Sequence, residues 1–133
     1  MSRPVGWMRN ANLFLKQMNS VFSDSAVIII THNISMARQC TKILVMYAGF
    51  IMEYGAVAQI IEKPVHPYTK SLIRALPING FDVFQASTDA PKLDGEPPGC
   101  PFYRRCPISQ LKCLHTMPSL EMKDGVYRRC HYA

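Results

Sequence analysis

Two short runs, residues 27–31 and 43–46, constrain this chain most, because each is apolar on both faces and too short for a buried helix. Strands of that kind belong in sheets covered on both sides. Between the runs, Asn33 or Ser35 can cap a short helix reaching Gln39, so the segment reads as strand, helix, strand. Such a unit pairs its strands in parallel and predicts α/β architecture.

The pattern extends in both directions. Leu13, Phe14, Met18, Val21 and Phe22 recur at helical spacing, which predicts an amphipathic helix over residues 11–22 after an irregular lead-in over 1–10. Downstream, Ala48 and Gly49 make a tight turn from Lys42–Tyr47 into an antiparallel partner over residues 50–54, ended by Gly55 at the sheet edge. Val57, Ile60 and Ile61 mark a short helix closed by Pro64, and Pro67 opens another that runs to Leu76. Residues 78–99 hold three glycines and three prolines with little periodicity, and read as a linker or irregular wrap.

The tail over residues 100–133 is rich in cysteine and cation and poor in aliphatic side chains, so its own apolar core is too thin to hold it. It needs a staple. Cys100, Cys106, Cys113 and Cys130 are separated by five, six and sixteen residues, with Pro101 and Pro107 keeping the loop from becoming helical. Four thiolates suit tetrahedral zinc or a cubane iron–sulfur cluster. Structural zinc sites usually include a Cys pair two to four residues apart, which is missing here, so the spacing favours the cluster. His115 and His131 are weaker candidate ligands, and Cys40, at the end of the short helix, reads as an inert buried thiol.

The net charge of +6 concentrates in this tail, where six Lys and Arg stand against Glu121 and Asp124. Cations beside thiols lower their pKa and favour the ligating form. Nucleic-acid binding is disfavoured, since the tail lacks interleaved stacking aromatics and a helix suited to a groove. No apolar run approaches the ~20 residues of a membrane helix, no signal peptide is visible, and five cysteines without one point to a cytosolic chain of reduced thiols or metal ligands.

The run AVIIITHNISMARQCTKILVMYAGFIMEYG, followed by HPYTKSLIRALP and GEPPGCPFYRRCP, resembles the C-terminal part of the ATP-binding subunits of oligopeptide and dipeptide ABC importers, from about residue 11 to the end. The resemblance implies that His32 is the switch-loop histidine that contacts the terminal phosphate of ATP. It also implies that His66, Pro67, Tyr68 and Thr69 open the C-terminal extension of peptide-type and nickel-type importers. Some members carry a four-cysteine iron–sulfur site there, which assigns Cys100, Cys106, Cys113 and Cys130 to a 4Fe-4S cluster, with zinc as the alternative.

Departures from the family pattern are equally informative. A phosphate loop needs Gly, four residues, Gly, Lys and Ser or Thr, and none of the seven glycines fits. The serine-glycine-glycine signature and the apolar strand ending in Asp-Glu are also missing, and Asn33 stands where the family usually has Asp. ATP and magnesium would therefore bind only in a complete assembled subunit. The expected organisation is a lead-in over 1–10, a partial ABC ATPase domain over 11–62, and the transporter extension over 63–133 with its metal motif at 100–130. Residues 1–10 do not resemble the family, so the chain reads as a truncated or separately encoded half. Expected partners are permease subunits, a second ATP-binding subunit and a chain carrying the missing half, at the inner face of the cell membrane. The other reading is a free-standing metal-binding regulatory module that docks to a transporter.

Overall fold

The computed structural model describes residues 17, 18, 20–75, 95 and 97–133, which divide into two compact units, 1–41 and 42–133. The lead-in, most of the first expected helix and nearly all of the expected linker lie outside the described residues. In the first unit a helical turn closes where Phe22 N–H donates to the Met18 carbonyl at 2.9 Å. Residues 26–30 follow with no ladder partner, and helix α1, Ile34–Ala37, comes after them.

The second unit begins with strands β1, Lys42–Tyr47, and β2, Phe50–Ala56. Their turn places Ala48 and Gly49 at φ 50° and 81°, the left-handed pair whose twist matches a two-residue hairpin. Gly55 lies inside β2 and does not end it, and an added Cβ there would press on Val126 and Ile60. Helix α2 spans Val57–Glu62 and α3 spans Pro67–Arg74, both where proline punctuation puts them. Beyond the expected linker come a 3-10 turn at Tyr103–Arg105, helix α4 at Leu111–His115, and a second hairpin of β3, Glu121–Lys123, and β4, Val126–Arg128. Asp124 and Gly125, at φ 54° and 79°, form its turn.

The sheet has four strands in the order β1-β2-β4-β3, every pair antiparallel. This corrects the expected fold class. The fold is mixed α/β, but among the described residues no parallel pair forms, because residues 27–31 have no neighbouring ladder to join and remain outside any strand. The tail is also not an irregular appendage, since β4 pairs directly with β2.

A bulge shapes the centre of the sheet. Val45 faces Glu53 and Met46 faces Ile51, so Met52 is the extra residue on β2, and both Met52 and Glu53 are fully buried. Two clusters form the core. Tyr47, Met52, Cys100, Phe102 and Cys113 make one, and Val45, Ile60 and Val126 make the other, with Tyr68 packing against both.

Candidate functional site

His32 sits at a bend just before α1, and its side chain is exposed. The Thr31 hydroxyl accepts the Asn33 N–H at 3.0 Å, and the Asn33 carbonyl accepts the N–H groups of Met36 and Ala37. Thr31 and Asn33 therefore hold the backbone on either side of His32 while leaving the imidazole facing solvent. An exposed imidazole on a held turn can donate to an anionic oxygen brought to it. Cys40 is half-buried with a free thiol.

The segment from His66 to Thr69 does a different job. His66 is the N-cap of α3, its Nδ1 accepting the Tyr68 N–H at 3.0 Å, and Pro67 occupies the first turn, where a missing N–H costs nothing. The two carboxyl oxygens of Glu53 accept the N–H groups of Val65 and His66 at 2.9 and 3.0 Å. The bulge that buries Glu53 thus fixes the entry to α3. Tyr68 then turns its ring 4.7 Å from Tyr47 and 5.3 Å from Phe102, and burial raises its pKa, the neighbouring Tyr47 adding to the effect.

Burial lowers the pKa of His66 from 6.5 to about 4, with a backbone hydrogen bond to Arg129 opposing and Lys70 reinforcing the shift. A folded-state pKa below the unfolded value means that the unfolded chain takes up the proton first as pH falls. Stability is intact above about pH 6.5 and falls as pH drops towards about 4; a shift of that size corresponds to about 3 kcal/mol. Urea denaturation at about pH 7.5 and about pH 4.5 measures this loss. His66→Asn, which keeps a capping side chain without the titration, is expected to flatten the difference.

The cysteines require a correction. Cys113, Cys106 and Cys130 are near enough to Cys100 to repel its thiolate, yet no three His, Cys, Asp or Glu side chains among the described residues are placed to hold a metal ion. The expected iron–sulfur or zinc centre is therefore not found, and neither is the free-standing metal module built on it. Cys100 and Cys113 pack in the aromatic core, where a thiol behaves as a small hydrophobe. The expected electrostatics are reversed as well. Burial pushes Cys100 up to about 11, against a hydrogen bond from the Phe102 backbone, and burial also raises Cys106. The thiol form is favoured over the ligating thiolate.

Among the tail cations, Arg129 has another use. Its N–H donates to the Met52 carbonyl at 2.9 Å, its Nε to the Ile51 carbonyl at 3.0 Å and its Nη1 to the Pro118 carbonyl at 2.8 Å. The guanidinium also lies 5.9 Å from the Phe50 ring centre. Arg129 thereby supplies hydrogen-bond donors to the carbonyls beside the bulge. Gly99 lies so close to the backbone carbonyls of Cys113 and Leu114 that no Cβ fits, which brings the start of the tail against α4. Sequence reading missed Glu53, Phe102 and Arg129, whose roles depend on contacts distant in the chain.

The model of the family described as "Oligopeptide/dipeptide transporter, C-terminal region" matches residues 52–113, covering β2 from Met52 onward, the buried His66 cap and the tail through Cys113. The oligopeptide transport ATP-binding protein OppD of Salmonella typhimurium is 38% identical over 111 residues, 80% of this chain and 33% of the relative. The chain is homologous to part of such ATP-binding proteins. The dipeptide transport ATP-binding protein DppD of Bacillus subtilis is 38% identical over 106 residues, 77% of this chain and 32% of the relative. DppD of Escherichia coli is 37% identical over 112 residues, 80% of this chain and 34% of the relative. The chain thus spans about a third of the length of these relatives. What matches is a part of these ATP-binding proteins, not the whole of one. No helix among the described residues is long and apolar enough to cross a membrane.

Proposed function

We propose that this chain supplies the C-terminal part of the ATP-binding subunit of an oligopeptide or dipeptide importer, with His32 as its switch histidine. The homology over about four-fifths of the chain supports this reading most strongly. The buried His66 cap lies within the segment matched by the transporter family. In an assembled subunit the exposed His32 imidazole would donate to a phosphate oxygen of bound ATP as charge moves during hydrolysis. The phosphate loop and the magnesium carboxylates must come from residues that this sequence does not contain. The partners are the permease subunits and a second ATP-binding subunit, at the inner face of the membrane. Residues 11–62 act as the partial ATPase segment and 63–133 as the extension.

Phosphoryl transfer depends on positioning and charge stabilisation, so the purified 133-residue chain is expected to show no ATP turnover above background in a phosphate-release assay. Joined to the remaining portion of a homologous subunit it is expected to support turnover. His32→Ala should then lower that turnover roughly 10²–10³-fold, as removal of one oriented donor does elsewhere. Turnover by the isolated chain, or unchanged turnover in the joined His32→Ala protein, overturns the reading.

A further inference from the structure

The segment between Cys106 and Cys113 leaves the core and returns to it. Cys113 is buried with Tyr47, Met52, Cys100 and Phe102, and Cys106 packs against the same cluster. Every residue between them, 107–112, is exposed. Both feet of this loop are held. Ser109 N–H donates to the Cys106 carbonyl at 3.2 Å, and the Ile108 backbone is hydrogen-bonded to the Cys106 thiol. At the other foot, Cys113 N–H donates to the Gln110 carbonyl at 2.9 Å as α4 begins.

A turn that faces water ordinarily carries polar side chains. This one presents Ile108 and Leu111, 42% and 74% exposed, and neither belongs to a core cluster. The charge around them has one sign. No Asp or Glu occurs from residue 97 to 120, whereas Arg104 and Lys112, both exposed, stand on either side of Ile108 in the chain. The Arg104 guanidinium lies 5.8 Å from the Tyr103 ring centre, and its Nε donates to the Tyr103 hydroxyl at 3.1 Å. Side chains of this length keep their charge among headgroups while aliphatic neighbours sink towards the acyl chains.

We propose that the loop over residues 107–112 docks on an anionic phospholipid surface, with Ile108 and Leu111 entering the interface and Arg104 and Lys112 contacting lipid phosphates. Charge complementarity selects this occupant, since an acid-free cationic tip is drawn to the negative potential of an anionic leaflet. A lipid surface also accepts two projecting aliphatic side chains without a preformed groove. Nucleic acid fits less well, because the loop has no aromatic side chain to stack on a base. This role goes beyond the transport reading, and its test uses neither ATP nor another chain.

The test is co-sedimentation of the full chain with vesicles of phosphatidylglycerol and phosphatidylcholine in equal parts, compared with phosphatidylcholine alone. Binding is expected on the anionic vesicles and should be roughly tenfold weaker or less on the neutral ones. Ile108→Ser combined with Leu111→Ser should lower the anionic partition about tenfold, and Arg104→Gln combined with Lys112→Gln should do the same. Leu44→Ser combined with Met46→Ser, exposed on the sheet instead, should leave it unchanged. All six positions are exposed, so each variant is expected to melt like the parent chain. A tryptophan reports the tip directly: Leu111→Trp in a Trp7→Phe background should shift its emission to the blue on anionic vesicles alone, as the indole leaves water. A chain of net charge +6 can also adhere through charge alone, and anionic binding that the Ile108 and Leu111 variant leaves unchanged would identify that case and overturn the proposal. So would no binding to the anionic vesicles, an equal loss in the sheet variant, or a tip tryptophan that stays in water on vesicles the chain has bound.

Discussion

Truncation of Phe102 to alanine is expected to destabilise the second unit by about 3–5 kcal/mol, the range for removing a fully buried aromatic side chain. The ring lies 5.3 Å from both Tyr47 and Tyr68 and packs with Met52, Cys100 and Cys113. It therefore joins three segments: the first hairpin, the start of α3 and the cysteine-bearing tail. Its edge-on contact with Tyr47, at an interplanar angle of 82°, contributes beyond simple burial. A loss of this size is comparable to the whole stability of a small domain. Denaturant titration with hydrogen exchange should show the tail opening first. Phe102→Leu, which keeps most of the apolar volume, should cost well under half as much, and equal losses in the two variants would show that packing at this position is not what holds the tail.

Glu53→Ala is expected to cost about 2–5 kcal/mol, because it leaves the N–H groups of Val65 and His66 without their acceptor and opens a void beside the bulge. Glu53→Gln should cost less but not zero, since its amide offers one acceptor oxygen to two donors. The entry to α3 depends on those two bonds, so Lys70 N–H, which donates to the His66 carbonyl at 3.0 Å, should exchange faster in both variants. Unchanged exchange at Lys70 together with unchanged denaturation midpoints would remove Glu53 from this role.

These positions show how far the sequence could be read. The hairpin at Ala48 and Gly49 and the opening of α3 at Pro67 were legible because each depends on neighbours in the chain. The second hairpin was legible in principle, since Asp124-Gly125 is a strong turn signal, but the short strands around it were obscured by the cysteine pattern. The expected parallel pairing failed for a different reason. Apolar patterning in residues 27–31 specifies burial on both faces without specifying what lies beside the strand, and no partner strand is present among the described residues. His32 was marked by resemblance alone, and the structure shows its side chain exposed on a held bend.

The sequence alone determined the local devices, namely turns, proline starts and apolar periodicity, because these rest on backbone sterics and short-range hydrogen bonds. Tertiary structure decided what the tail residues do. Cysteine spacing is compatible with ligation, but burial around Phe102 raises the Cys100 thiol and places it in an apolar core. Cationic sequence suggested charge balance for thiolates, but the β2 bulge left carbonyls that Arg129 reaches across the fold. Whether a side chain acts as ligand, core filler or clamp depends on its desolvation and on partners distant in the chain, and only the folded arrangement specifies these.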